Sequence, residues 1–372
     1  MDFSIMFFAG SDRPAGGDRY ALVREAAQFA DRHGFSAVWT PERHFHEFGG
    51  LFPNPSVLAA ALAVMTERLQ IRAGSLIAPL HDPVRIAEEW SVVDNLSHGR
   101  VAISFGAGWN ADDFIFHPER YAVRQAWLYD AIAEIQRLWR GEPVQRENGA
   151  GRSISVSVRP RPVQPELPTW VTSSGHVDTF VSAGRIGANL LTHLIGQTLE
   201  QLSDKIRRYR DARAANGFDP RAGKVTVMMH TFIGRDLQEV TRIVKVPFCN
   251  YLKTAVRLEE RAAAAGGAVS GGHRIEQHAI PDAAMQDLLD VTFERYFSTA
   301  SLLGTIETCE AMVSRLESCD VDEVACLIDF GPSDEQVVAS LHYVDRLREA
   351  CGTDARARAE AAALRDFSES LG

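Results

Sequence analysis

Residues 69–109 read LQIRAGSLIAPLHDPVRIAEEWSVVDNLSHGRVAISFGAGW. The stretch LQIRAGSLI (69–77) is short, apolar and bounded by polar residues, which predicts a buried strand. PVRIAEEWSVVDNLSHG (83–99) carries apolar residues at helical spacing, starts on Pro83 and closes on Gly99. VAISFGAG (101–108) is again a short apolar run, giving a fourth strand. Strand, helix and strand within about forty residues form one βαβ unit. Strands that are apolar throughout belong to a parallel sheet covered by helices.

Working outward, the same unit repeats. FSIMFF (3–8) is a first strand, ending in the loop AGSDRPAGG, and RYALVREAAQFADRHG (19–34) is a helix closed by Gly34. FSAVW (35–39) is a second strand, and PSVLAAALAVMTE (55–67) a helix with Pro55 at its start. After a long helix at 120–141, strands five to eight follow at 168–174, 187–193, 224–233 and 321–330. Helices fall between them at 198–217 and 305–318, and a last helix begins near Asp334. Eight strand–helix units predict an α/β fold, a (β/α)8 TIM barrel. A dinucleotide-binding sheet would need a Gly-rich first turn, and AGSDRPAGG does not spell GxGxxG.

Two segments break the repeat. Residues 142–168 are rich in Gly, Arg and Pro and read as a hairpin or loop before strand five. Residues 236–300 form an insertion between strands seven and eight, with helical flanks around the small-residue stretch RAAAAGGAVSGGHR (261–274). An insertion at this place falls on the catalytic face of a barrel and is read as an active-site lid; a dimerisation element or a solvent-exposed excursion is the other reading. The whole chain, 1–372, is read as a single barrel domain.

Composition narrows the function classes. With 45% hydrophobic and 24% charged residues, the 372-residue chain is that of an ordinary globular protein. Its formal charge of -10, without a basic block, gives no footprint for nucleic acid or an anionic membrane surface. Five cysteines without CxxC spacing suit a reduced, cytoplasmic protein. The apolar start MDFSIMFFAG lacks a basic region and is expected to be a strand, not a signal peptide.

In a barrel, chemistry collects at the C-terminal ends of strands. TPERHFHEFGG (40–50) follows strand two, so Glu42, Arg43, His44 and His46 either line a site or hold a loop together, for instance by a Glu42–Arg43 salt bridge. Ser75 lies in strand three, Gly106 and Gly108 follow strand four, and Thr192 and His193 end strand six. TSSGHVDTF (172–180) places Ser173, Ser174 and Gly175 before a helix, with Thr179 in its first turns. Exposed amides and the helix dipole there suit a phosphate; ordinary hydroxyl capping fits the same residues. Arg124, with Tyr121 one turn earlier, offers a positive partner or is a simple surface residue. The pair His44 and His46 also raises a metal site, with His193 and His230 the nearest further candidates; three protein ligands are the usual minimum for a catalytic zinc, and no clear set appears.

With these residues in view, the sequence resembles the bacterial luciferase-like flavin monooxygenases. The resemblance runs through GFSAVWTPERHFHEFGGLFPNP (34–55), the block 69–109, RYAVRQAW (120–127) and LPTWVTSSG (167–175). The order HDPVR, DNLSHGR, GAGW in the second block is its most specific part. Later stretches at 188–202, 293–305 and 324–331 look like the subgroup found with polyketide and non-ribosomal peptide biosynthesis. The resemblance implies a (β/α)8 barrel that binds reduced FMN (FMNH2), takes O2 as co-substrate and oxygenates, by hydroxylation, an intermediate of natural-product biosynthesis. It implies a separate NAD(P)H:flavin reductase as partner, an acyl or peptidyl carrier protein that bears the substrate, and a homodimer. It also implies roles: Ser75 against the flavin ring, with Gly74–Ser75 as a cis peptide; Gly106 close to the ring; Arg124, Ser174, Gly175 and Thr179 on the phosphate, with Ser173 and Tyr121 beside it. Where the family has a catalytic His, this chain has Arg43, and where the family has a phosphate-contacting Arg it has Ala107. Arg43 cannot act as a base, so it is expected to stabilise the flavin C4a-(hydro)peroxide, with His44 moving a proton and Glu42 orienting one of them. An F420-dependent oxidoreductase on the same barrel, and a non-catalytic flavin-binding subunit, are the alternatives.

Overall fold

The computed structural model describes residues 1–8, 17–264 and 282–352. Most of the loop read at 9–17, and residues 265–274 of the small-residue stretch, lie outside the described residues. Eight parallel strands close into a barrel: β1 (Asp2–Met6), β2 (Ala37–Thr40), β3 (Gln70–Ile77), β4 (Val101–Gly106), β7 (Thr169–Thr172), β8 (Asn189–His193), β9 (Val225–Ile233) and β11 (Glu323–Leu327). Each pairs with the next, from Ile5 opposite Val38 to Leu190 opposite Val225, and Asp2 opposite Glu323 completes the ring. The predicted (β/α)8 barrel is the fold, and its eight strands are those read from the sequence.

Helices α1 (Ala21–His33), α2 (Pro55–Met65), α3 (Pro83–Leu96), α4 (Arg124–Arg140), α5 (Val177–Arg185), α6 (Leu199–Ala215), α9 (Ile306–Ser318) and α10 (Asp334–Cys351) surround it. Their ends are set by local chemistry. Asn54 accepts from the Ser56 and Val57 amides at the start of α2, and Asp82 accepts from the Val84 amide at the start of α3. Gly34 ends α1 at φ 78°, a left-handed turn that a Cβ disfavours.

The lower barrel is filled by a charge pair. Arg72 on β3 donates to both oxygens of Glu323 on β11, at 2.8 and 2.9 Å, and both side chains are buried. Trp39 and Trp170 flank the guanidinium at 4.6 and 4.5 Å, and Ser4 donates to Glu323 at 2.6 Å. Partners on every side make this burial tolerable.

The excursions sit at the other levels. Residues 142–168 contain the hairpin β5 (Val144–Glu147) with β6 (Ser153–Val156), paired antiparallel. The insertion after β9 contains α7 (Leu237–Ala264) and α8 (Asp282–Thr299), and then β10 (Leu302–Gly304), a further parallel strand beside Thr231–Ile233 of β9. The sequence did not signal β10, because three residues carry no periodicity. Phe248 and Tyr251 of α7 are buried, and Tyr251 packs edge-on to Phe48, 5.1 Å between ring centroids. The insertion thus packs onto the loop that follows β2.

Candidate active site

A cavity of about 230 Å³ opens at the C-terminal ends of the strands. Glu42, Arg43, His44 and His46 after β2, Ser75 of β3, Gly106 of β4, Ser173 and Ser174 after β7, Thr179 of α5 and Thr192 and His193 of β8 all line it. Residues far apart in sequence meet here because parallel strands deliver all their C-terminal ends to one face.

Glu42 organises one wall. Its Oε1 accepts from His44 Nε2 at 3.0 Å and from His81 Nε2 at 2.5 Å, and its Oε2 accepts from the Ile77 amide at 2.6 Å. Burial opposes its charge, but the hydrogen bonds from His44 and His81, the His81 charge and the Ile77 amide together hold the carboxyl below the usual carboxylate range. The same contact acts on His81: burial disfavours its proton, yet the Glu42 carboxylate raises it above its ordinary value. A carboxylate only accepts, so His44 carries its hydrogen on Nε2 and leaves Nδ1 as the basic atom. The alternative of a Glu42–Arg43 salt bridge is not what forms; the partners of Glu42 are the two histidines and one amide.

Arg43 stands differently. Its guanidinium lies 3.9 Å from the Phe8 ring centroid and 5.1 Å from that of Phe48. Among the described residues no side chain or carbonyl accepts a hydrogen bond from it. Burial lowers its proton affinity, and the nearby Tyr251, Asp113 and Asp329 push the other way.

Asp113, in the short helical segment Ala111–Phe116, also lines the cavity and is buried. Asn110 donates to its Oδ1 at 2.7 Å and lies 2.9 Å from His46 Nε2. Burial pushes the Asp113 carboxyl up to about 6, against the Asn110 hydrogen bond and the charges of His44 and Arg43. Sequence reasoning missed Asp113, Asn110 and His81. The available signal was NADDF directly after GAGW, polar residues at a barrel strand's end.

At the far end, Gly175 takes φ 107° and its amide donates to Ser173 Oγ at 3.3 Å. No side chain caps α5; the Ser173 hydroxyl bonds within the turn, accepting from the Gly175 amide and donating to the His176 carbonyl, and not to an amide of the helix. The Ser174 and Thr179 hydroxyls have no partner among the described residues. Lys205 of α6 brings its ammonium within 3.5 Å of where a Gly175 Cβ would stand, and it donates to Gln197 at 2.8 Å. Tyr121, Arg124 and Gly175 do not line the cavity itself. Arg124 donates to the carbonyls of Gly108 and Tyr121, at 2.9 and 2.7 Å, and stacks on the Tyr121 ring at 4.3 Å.

Between these ends lies the floor. The Gly74–Ser75 peptide is cis, as the resemblance implies. A Cβ on Gly106 would stand 3.1 Å from Ser75 Oγ, so glycine keeps β4 level with β3. An open glycine floor with hydroxyls and an uncapped helix terminus at one end fits a planar ring bearing a phosphate. Of the histidines named as metal candidates, burial pushes His193 down to about 4 and His230 to about 3. No group of three or more His, Cys, Asp or Glu able to hold a metal occurs among the described residues.

The luciferase-like monooxygenase family pattern matches residues 1–323. The chain belongs to that family. An uncharacterized protein of Mycobacterium tuberculosis is 26% identical over 181 residues; the match covers 44% of this chain and 64% of that relative's length. The oxygenase component of a flavin-dependent trigonelline monooxygenase from Acinetobacter baylyi is 25% identical over 347 residues, 89% of each chain. Among solved structures, the monooxygenase RslO1 from Streptomyces bottropensis superimposes with a TM-score of 0.73 at 23% identity, over 93% of this chain and 98% of that one. The oxygenating constituent of 3,6-diketocamphane monooxygenase from Pseudomonas putida, in complex with FMN, gives 0.71 at 18%, over 93% and 96%. The coenzyme F420-dependent tetrahydromethanopterin reductase of Methanopyrus kandleri gives 0.68 at 15%, over 92% and 99%. The three structures share the fold, one of them in complex with FMN and another named for coenzyme F420. No helix among the described residues is long and apolar enough to cross a membrane.

Proposed function

We propose that the protein is the oxygenase component of a two-component flavin monooxygenase, using FMNH2 from a separate NAD(P)H:flavin reductase and O2 to oxygenate an organic substrate. One observation carries the reading: a single cavity has a hydroxyl-lined, uncapped helix terminus at one end and the Glu42–His44–Arg43 wall at the other. The match to the trigonelline monooxygenase oxygenase component supports the two-component scheme.

Ser174, Thr179 and the first amides of α5 hold the cofactor phosphate, with Ser173 and Gly175 shaping the turn. Arg124, braced on Tyr121, and Lys205 supply the positive charge that Ala107 does not. Ser75 and Gly106 bound the ring. Bound reduced flavin supplies the two electrons for O2 activation, one oxygen atom going to the substrate and the other to water. His44 takes or returns a proton at Nδ1, Glu42 fixes its ring, and Arg43 supplies positive charge where negative oxygen develops. The α7–α8 insertion acts as a cover that limits water, supported by the Tyr251–Phe48 contact. Later sequence stretches support a polyketide or non-ribosomal peptide intermediate on a carrier protein as the substrate. Exposed Val57 and Val64 on α2, with Val92 and Leu96 on α3, support a homodimer.

Anaerobic titration with FMNH2, followed by mixing with O2 and candidate substrates, tests the proposal. Tight FMNH2 binding with substrate-dependent oxygen incorporation from 18O2 is expected. A second reading, hydride transfer with F420, has the shared barrel of F420 enzymes in its favour; F420 binding in place of FMN selects it.

A further inference from the structure

Charged side chains that line a buried cavity are normally spoken for. Arg43 is the exception on this wall. Its guanidinium carbon lies 3.9 Å from the Phe8 ring centroid and 5.1 Å from that of Phe48, two rings set edge-to-face to each other, so the aromatic contacts leave N–H groups of the guanidinium open for polar contact. These groups form a fork of donors matched to a carboxylate, and among the described residues no acceptor meets it. Its acidic neighbours are engaged elsewhere. Asp113 is held by Asn110 at 2.7 Å, and Asp329 takes the Phe8 amide on both oxygens, at 2.9 and 3.0 Å. Glu42 is filled by His44, His81 and the Ile77 amide. Stacking on Phe8 also fixes the side chain in place, which lowers the entropy cost of using it.

We propose that Arg43 is a substrate-anchoring residue, and that the substrate class is an organic molecule bearing a carboxylate, which the Arg43 guanidinium takes in a two-pronged hydrogen bond. The inference rests on reading this cavity as an oxygenation site. It assigns Arg43 to the substrate, in addition to any service to developing charge on oxygen. The bound carboxylate orients the substrate from one end, leaving His44 Nδ1 to work at the reacting end.

Isothermal titration of the full chain with benzoate, and with its neutral isostere benzamide, tests this. The titrations are run with saturating FMN and again without it. Benzoate is expected to bind about tenfold or more tighter than benzamide, since a charge-assisted pair is lost with the amide. Arg43→Gln is expected to abolish that preference while FMN affinity moves by less than about threefold. Equal binding of the two probes by the unaltered protein, no benzoate binding, or a preference that survives Arg43→Gln overturns the proposal. Should Arg43→Gln fail to fold, Asp113→Asn decides: removing the neighbouring anion tightens benzoate relative to benzamide, and an unchanged ratio overturns the proposal. Benzoate preference without FMN binding sinks the flavin reading alone; FMN binding without benzoate preference sinks this one alone.

Discussion

His44 Nε2 donates to Glu42 Oε1 at 3.0 Å, and that single bond fixes which nitrogen of His44 is free to carry protons. Glu42 in turn depends on His81 and the Ile77 amide, so the proton-handling atom is set by residues from two different strand ends.

Glu42→Ala therefore strips three donors, His44 and the Ile77 amide buried and His81 partly so, of their acceptor at once. The loss expected is on the order of 3 kcal/mol of folding stability, by analogy with breaking a buried charge pair. Urea denaturation checks it. Glu42→Gln retains one acceptor oxygen and is expected to lose less.

Stability around this wall is expected to follow pH in a defined window. Glu42 has its folded pKa lowered, so its contribution is present above its usual 4.5 and is lost as pH falls through the folded value. His81 has its folded pKa raised, so its contribution is full below its usual 6.5 and is lost as pH rises through the folded value. Glu89 and Arg120 also bear on His81, in opposite directions. A declining denaturation midpoint above neutrality is expected, and His81→Gln is expected to flatten that decline. An unchanged slope in the variant counts against the pairing.

Asp113 behaves in the opposite sense to a paired carboxylate. Its pKa rises from 3.8 unfolded to about 6 folded, so ionisation destabilises the fold progressively as pH rises through this range. Asp113→Asn is expected to be more stable than the parent at pH 8, by up to about 2 to 3 kcal/mol, and to lose that advantage toward pH 4. If Asp113 exchanges protons during turnover, an inflection in kcat/KM near its pKa disappears in the variant.

Thr179→Val removes a hydroxyl from the first turn of α5 without changing side-chain shape greatly. FMN affinity is expected to fall about tenfold, while riboflavin, which lacks the phosphate, binds as before. Flavin fluorescence quenching separates the two. Equal loss for both ligands places the phosphate elsewhere.

Replacing Arg72 alone with Met leaves the buried Glu323 side chain of β11 without its guanidinium partner. A loss of about 3 to 5 kcal/mol is expected. Replacing Glu323 with Leu as well recovers most of it, because two apolar side chains need no partners. Chemical denaturation of the single and double variants gives the comparison.

The sequence by itself determined the barrel. Eight short apolar runs alternating with helices, some with a readable cap such as Asn54, Asp82 or Gly34, leave little else for the chain to form. It also located Glu42, Arg43, His44, Ser75, Gly106, Ser173, Ser174 and Thr179 at strand ends, because the parallel barrel brings those ends together wherever they lie in the chain. What it left open was partnership. The reading of Glu42 with Arg43 as a salt bridge used nearness in sequence, yet Glu42 binds His44 and His81, and His81 is 39 residues away. Spacing set Arg124 one turn from Tyr121, but it could not show that Nε and Nη1 of Arg124 donate to the carbonyls of Gly108 and Tyr121. The raised carboxyl of Asp113 and the open N–H groups of Arg43 arise from burial and from which acceptors fall within about 3 Å, and tertiary packing alone sets both. Periodicity is local, so sequence carries it; hydrogen bonding and desolvation at a shared cavity are non-local, so only the folded chain decides them.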